Sequence, residues 1–230
     1  MMKNSGIIGL GARNDKRKSL TDEVYDALLK KFVDKELVPG QVLNRRSVAK
    51  ELNVSVAPVL EAFLYLEMEG YVETLPRKGT IVKPIRKQDI YEQLIMREAI
   101  ECQAAYMYAG KPLSDNLDSL LPLAALIDGT DPDAMDHWEA EIAFHGALIS
   151  LSRCDTMVDT FFRIIRLGTF YNMNRLSTDI SPPIADRVNQ SHCELLDRLV
   201  GKDAETVVGY IRDHVRSGKE RLFAEFDQRR

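Results

Sequence analysis

The order of apolar, polar and turn residues between positions 48 and 82 constrains this chain more than any other feature. Apolar residues at helical spacing predict a short helix over 48–52, and Ser55 is suited to cap a longer helix that ends at Gly70. Two apolar extended segments follow, joined by residues 76–80, which contain Pro, Gly and two cations. A short helix, a turn, a longer helix and a hairpin in this order predict a winged helix-turn-helix.

The charge around this motif favours a DNA partner. Residues 1–84 hold 14 Lys and Arg against 11 Asp and Glu, a net charge of +3, whereas the remainder carries −7 of a total of −4. A solvated surface of ordinary composition is the alternative interpretation. A cationic hairpin beside two helices suits a groove flanked by phosphates. We expect DNA contacts from Arg45, Arg46, Lys50, Ser55, Val56, Ala57, Arg77, Lys78 and Gly79.

The longer helix of the motif is also expected to bury one apolar face against the rest of its domain. Its apolar residues at helical spacing are Leu60, Phe63, Leu64 and Met68. A preceding helix, which starts near Ser19 and ends before 37–40, is predicted to pack behind it.

Composition predicts a soluble chain. No apolar run approaches the roughly 18–20 residues of a membrane span, and no convincing cleavage site follows the start, so we expect a cytoplasmic protein without membrane contact. Cys102, Cys154 and Cys193 form no metal-binding or redox motif and are expected to be reduced thiols.

Beyond residue 88 the pattern is helical almost throughout. The predicted helices cover 89–109, 114–127 with a bend at Pro122, 132–150, 155–174, 181–200 and 203–226. We therefore predict a mainly α protein: a winged helix-turn-helix of three helices and a two-stranded wing, followed by an all-α bundle. The domain boundaries are a flexible basic arm at 1–18, the winged domain at 19–84, a linker at 85–88 and the helical domain at 89–230.

The bundle contains a candidate metal site. Glu141 and His145 are four residues apart and share one face of a helix, and His192 and His214 lie on the last two helices. Imidazoles with a carboxylate suit zinc first, and also nickel, iron or manganese. The competing interpretation is that each histidine is a partly buried, hydrogen-bonded side chain without a metal.

Arg97 on the first bundle helix also has two interpretations. It is either a surface partner of Glu101, four residues later, or an inward-facing fork for a carboxylate ligand.

Taken together, the motifs resemble the GntR family of bacterial transcription regulators, in the subgroup with a FadR-type C-terminal domain (FCD). The resemblance extends from about 19 to 226. In the first part it rests on 37–40, 48–49, 52–55, 58–59, 61–62, 66–70 and 76–79, and in the second on 89–90, Arg97, Glu101, Phe144, His145, His192 and His214.

The resemblance implies a homodimer that places two winged heads on a palindromic operator, and a bundle that binds a small organic acid. In metal-containing members an Asp and three His hold a divalent ion, which coordinates the carboxylate of the ligand. Carried over, the metal ligands are Glu141, His145, His192 and His214, and Arg97 is the ligand-facing arginine.

Two departures from the family bear on function. Glu141 stands where an Asp is usual, which adds a methylene to the ligand. Val56 and Leu60 replace two arginines of the recognition helix, so guanine contacts worth roughly 1–3 kcal/mol each are lost. Val56 and Ala57 can instead contact thymine methyl groups, while the cations contact phosphates or the minor groove.

The leading hypothesis is therefore a ligand-responsive transcription regulator rather than an enzyme. Two alternatives stay open from the sequence. One is a sensor or scaffold whose head binds DNA with little sequence specificity, and the other is a metal-dependent enzyme with an open coordination position.

Overall fold

The computed structural model describes residues 19–131, 135–174 and 191–217, which form two compact units. The first contains the described residues up to Arg86 and those of a later helix from Arg166, and the second contains Lys87 to Ile165 and the residues from 191. The predicted arm at 1–18 lies outside the described residues.

The first unit combines three helices with a small sheet. Its elements are α1 (Leu20–Val33), β1 (Val42–Leu43), α2 (Arg45–Glu51), α3 (Val56–Met68), β2 (Val72–Leu75) and β3 (Gly79–Val82). Helix α1 starts at a reciprocal cap, in which Ser19 and Asp22 each accept the other's backbone N–H at 3.1 Å. Helix α1 packs on α3, as the sequence pattern predicted.

The sheet of this unit has three strands rather than the two predicted. The wing hairpin pairs β2 with β3, with Val72 opposite Val82, and β1 pairs antiparallel with the other edge of β3. The wing turn places Arg77 at φ 64° and Gly79 at φ 90°, and the left-handed region favours glycine. The extra strand is two residues long, too short to show an alternating pattern.

The predicted buried face of α3 was wrong for three of its four residues. Phe63 is buried, but Leu60 and Leu64 are exposed and Met68 keeps 82% of its surface accessible. The core face consists of Pro58, Val59, Ala62, Phe63 and Leu66. Because α3 is apolar on most of its circumference, spacing alone does not identify the face that packs.

The second unit is helical in all the elements described. They are α4 (Lys87–Tyr108), α5 (Lys111–Ser114), α6 (Leu117–Asp128), α7 (Met135–Ser150), α8 (Asp155–Asn174), α9 (His192–Leu199) and α10 (Ala204–Arg216). The residues of α8 from Arg166 belong to the first unit. Helix α4 starts inside the predicted linker, and the short α5 was not predicted. The predicted beginning of α9 near 181 and the predicted extension of α10 to 226 lie outside the described residues.

The core of the bundle brings α4, α7 and α10 together, with α6 against α7 and α9. Its largest fully enclosed side chains include Tyr108, Phe144 and Phe161. Gly146 permits a close approach to α8, since a Cβ there would lie 2.5 Å from Cζ of Phe162. This packing fixes the rotation of α7, which carries Glu141 and His145.

Candidate functional site

Helix α7 presents Glu141 and His145 on one face, because four residues complete slightly more than one helical turn. Phe144, which has no exposed surface, anchors the helix beside them. Its ring meets the rings of His145 and His192 edge-on, at centroid separations of 5.4 and 5.1 Å. The apolar core thereby turns the ionisable side chains of α7 inward.

Three of the four predicted metal ligands come together in space. His145, His192 and His214 lie on α7, α9 and α10, and one nitrogen from each ring lies within 4.8 Å of the other two. The Nε2 atoms of His145 and His214 are 3.3 Å apart, and the ring centroids of His192 and His214 are 4.9 Å apart. We call these three residues the histidine triad.

Glu141, the fourth predicted ligand, borders the triad. Its Oε1 lies 3.2 Å from Nε2 of His192, and its Oε2 lies 3.4 Å from Nε2 of His145. Burial opposes ionisation of the Glu141 carboxyl, but its contacts with the two rings hold its pKa well below the usual range. A carboxylate is therefore present beside the triad.

Two residues on α4 support His145, and the sequence interpretation connected neither of them with that ring. Glu101 Oε2 accepts a hydrogen bond from His145 Nδ1 at 2.7 Å, and Arg97 Nε donates to Glu101 Oε1. Both side chains are buried, so the surface interpretation of Arg97 is wrong. The signal was available in the helical spacing of Arg97, Glu101, Ala104 and Tyr108, all of which are buried.

Asp128, at the end of α6, supports His192. Its carboxylate accepts hydrogen bonds from the backbone N–H of His192 at 2.8 Å, from that of Cys193 at 3.2 Å and from the Ser191 hydroxyl at 2.7 Å. These bonds satisfy donors at the start of α9 and lower the pKa of Asp128 in spite of partial burial. No local sequence signal connects two residues 64 positions apart.

His137, which was not assigned to the site, is also buried. Its Nδ1 lies 3.1 Å from the Thr130 hydroxyl, whose proton is donated to the carbonyl of Ile127, so the ring donates to Thr130. Its Nε2 lies 3.7 Å from Glu141 Oε1. His137 therefore adjoins the carboxylate without belonging to the triad.

The cluster combines anionic carboxylates, a cationic guanidinium and imidazoles, and these groups shift one another's pKa values. Burial by itself would raise the pKa of Glu101, but Arg97 and His145 lower it to about 2. Burial by itself would lower the pKa of His145, and the Glu101 carboxylate outweighs that effect and raises it. The pKa of His214 is well below its ordinary value, first because of burial and then because of the charges of His145 and His192.

Hydrogen bonding leaves some of the buried ring nitrogens without partners. Within the described part of the chain, Nδ1 and Nε2 of His192 and Nδ1 of His214 form no hydrogen bond, and the 3.2 Å contact of His192 with Glu141 lacks the geometry of one. Burying such a group without a partner costs roughly 1–3 kcal/mol. A divalent ion held by three imidazoles and a carboxylate would supply the missing partner at Nε2 of His192, so the residues present fit a metal.

The nine residues expected to contact DNA lie on the first unit. Arg45 and Arg46 open α2, where Asn44 accepts the backbone N–H of Arg46 at 2.9 Å. Lys50 lies in the last turn of the same helix, and Ser55, Val56 and Ala57 are exposed at the start of α3. Arg77, Lys78 and Gly79 form the exposed tip of the wing. Helix α3 itself contains no Lys or Arg.

Comparison with known families identifies both units. Residues 20–82 match the bacterial regulatory proteins of the gntR family, and residues 90–217 match the FCD domain. The chain belongs to the GntR family. It is a DNA-binding transcription regulator with an FCD domain, which confirms the fold and the general function predicted from the sequence. Because the proteins of this family are regulators, the enzyme alternative is set aside.

Individual relatives of this GntR regulator can be aligned with it along most of its length. The HTH-type transcriptional repressor RspR of Escherichia coli K12 is 25% identical over 206 residues, which cover 87% of this chain and 88% of RspR. A crystal structure of a GntR regulator from Rhodococcus sp. RHA1 has a TM-score of 0.69 at 22% identity and covers 90% of this chain and 99% of its own. The structure of E. coli McbR/YncC has a TM-score of 0.61 at 22% identity and covers 91% of this chain and 100% of its own. The two structures establish the fold.

A helix that crosses a bilayer needs roughly 20 consecutive, predominantly apolar residues. Among the described residues, no helix is both long and apolar enough to do so.

Proposed function

We propose that this GntR regulator binds a divalent ion through Glu141 and the histidine triad, and that the ion and Arg97 together bind a small carboxylate effector. The observation that carries the proposal is the convergence of three imidazoles and a carboxylate, with ring nitrogens left without partners. Zinc suits this donor set best, and nickel, iron and manganese are the alternatives.

Different residues of the site would bind the ion and the effector. The Nε2 atoms of the triad and the Glu141 carboxylate would hold the ion, which supplies a Lewis-acidic centre for an effector oxygen when bound. Arg97 gives one N–H to Glu101 and retains other donors of its guanidinium, which can bind a carboxylate. Recognition of an acid thus combines a cation with directional hydrogen bonds.

The operator would be bound by two copies of the first unit. A homodimer with twofold symmetry matches a palindromic site, and the exposed apolar residues of α4 and α6 suit burial against another protein surface. These residues are Met96, Tyr106, Met107, Leu121 and Leu126. Binding of the acid and binding of the operator would then be coupled by a free energy that acts in both directions.

The test uses the full chain, freed of metal with a chelator and reloaded with one ion at a time. Metal content is measured by elemental analysis, and affinity for the DNA upstream of its own gene is measured by fluorescence anisotropy over a panel of small carboxylic acids. We expect one ion per chain and an acid that changes DNA affinity by at least the roughly fivefold typical of allosteric coupling. Absence of stoichiometric metal, or unchanged DNA affinity across the panel, would refute the proposal.

A second candidate, a regulator with low sequence specificity, is supported by the absence of cations from α3 and by the exposure of Val56 and Leu60. Genome-wide binding without an enriched motif would support it. A single sharp palindrome would exclude it.

A further inference from the structure

Glu101 connects α4 to the histidine triad without belonging to it. The carboxylate is buried, with 3% of the side-chain surface exposed, and its Oε2 lies 2.7 Å from Nδ1 of His145. Since an ionised carboxylate can only accept, the His145 ring donates its Nδ1 proton. In the neutral ring, the hydrogen bond therefore selects the tautomer in which the other ring nitrogen, Nε2, carries the lone pair.

This tautomer is the one that a metal site at the triad needs. The Nε2 of His145 faces Nε2 of His214 at 3.3 Å and Oε2 of Glu141 at 3.4 Å, so its lone pair is directed toward the other candidate ligands. The opposite tautomer would place a proton at that position. The orientation of the ring is fixed as well, because Glu101 lies on a long helix that packs against both α7 and α10.

Arg97 holds Glu101 in turn. It precedes Glu101 by one helical turn, only 9% of its side chain is exposed, and its Nε donates to the carboxylate oxygen that His145 does not use. The two oxygens of Glu101 are thus divided between the guanidinium and the imidazole. Without Arg97, the anion would be buried with a single partner, and its position would be less well defined.

We infer that Arg97 and Glu101 are positioning residues for the metal ligand His145, with Glu101 acting directly on the ring and Arg97 acting through Glu101. The inference rests on the metal site proposed above and adds a role for Arg97 that does not require the effector. If Arg97 served only to bind the acid, its replacement would leave metal affinity unchanged in the absence of acid.

The test measures Zn²⁺ affinity of the full chain without any carboxylate, by competition with a chromophoric chelator. Glu101→Gln is expected to weaken binding by roughly 10–100-fold, as for other carboxylates that orient a ligating histidine. Arg97→Gln should also weaken Zn²⁺ binding, by a smaller factor than Glu101→Gln. The matched control is Glu98→Gln on the same helix, where Glu98 forms a bidentate pair with Arg216 at 2.7 and 3.1 Å and contacts no histidine of the triad.

A second variant separates positioning from folding. Replacing both charged residues, as Arg97→Met with Glu101→Met, removes the pair without leaving an unpaired charge, and such replacements commonly preserve the fold. In ¹⁵N-histidine spectra of the metal-free protein, recorded at a pH high enough to keep the imidazole neutral, the ring of His145 should show the Nδ1-protonated tautomer in the wild type. The double variant should show a mixture, together with weakened Zn²⁺ binding.

Three results would overturn the inference. They are wild-type Zn²⁺ affinity in a folded Glu101→Gln or double variant, an equal loss in Glu98→Gln, and an unchanged His145 tautomer in the double variant. A wild-type chain that binds no Zn²⁺ would refute the proposed metal site itself, and the inference with it.

Discussion

The two candidate sites of this regulator are built in opposite ways. In the helical unit, His145, His192 and Glu101 are buried, and each is constrained by a side chain on another helix. In the winged unit, Arg46 and Lys78 are exposed, and within the described residues no carboxylate forms an ion pair with either. A buried site depends on geometry, so a single substitution should have a large effect. An exposed cationic surface depends on summed charge, so each substitution should have a small one.

Removing the apolar side chain that packs against the histidine triad should have the largest effect, a loss of stability. Phe144→Ala removes a ring that has no exposed surface and that contacts two of the three triad residues. The expected loss is about 3–5 kcal/mol in the free energy of unfolding, measured by urea denaturation of the metal-free protein. The matched control is Leu64→Ala on the exposed side of α3, which should stay within about 0.5 kcal/mol of the wild type. Similar losses in both variants would contradict the contrast.

Loss of one triad ring should come next. His192→Ala is expected to reduce Zn²⁺ affinity by more than the roughly 100-fold upper range for a supporting partner, because a proposed ligand itself is removed. His137→Ala is the comparison, since His137 is also buried but stands outside the triad. Competition with a chelator should show a much smaller loss of Zn²⁺ affinity for His137→Ala. If the two variants lose equal affinity, the triad has been assigned incorrectly.

Sequence reasoning succeeded where the relevant contacts are local. Glu141 and His145 were paired from helical spacing, because both lie on α7. His192 and His214 could be included only as candidates, which the resemblance to a family strengthened, since their approach to His145 is a tertiary property. Asp128 was missed for the same reason.

The misassigned face of α3 shows a different limit. Leu60 and Leu64 have the right spacing for a buried stripe, but the helix is also apolar at Val59 and Leu66, and the packing of α1 decides between the two faces. Periodicity predicts a helix well and its orientation poorly when apolar residues surround the axis.

Restoring an arginine to α3 should alter the specificity of DNA binding and leave the metal site unchanged. Val56→Arg places a guanidinium at an exposed position at the start of the helix. A bidentate guanine contact discriminates by roughly 1–3 kcal/mol, so sites selected from random DNA should gain a preference for guanine where the new side chain reaches the bases. Zn²⁺ affinity should not change. Identical selected sites for the variant and the wild type would place Val56 outside the DNA interface.

The smallest effect per residue is expected at the wing. Arg77→Ala with Lys78→Ala removes two exposed cations from the turn between β2 and β3, which is held by backbone pairing rather than by these side chains. If both contact phosphates, the slope of log affinity against log salt should fall by about 0.9 for each contact, and affinity should weaken evenly across DNA sequences. Lys111→Ala, an exposed cation of the helical unit, is the control and should leave the slope unchanged. A wing variant that lost affinity for one sequence only would show that the tip contacts bases. The wing would then depend on geometry, as the buried site does, and not on summed charge alone.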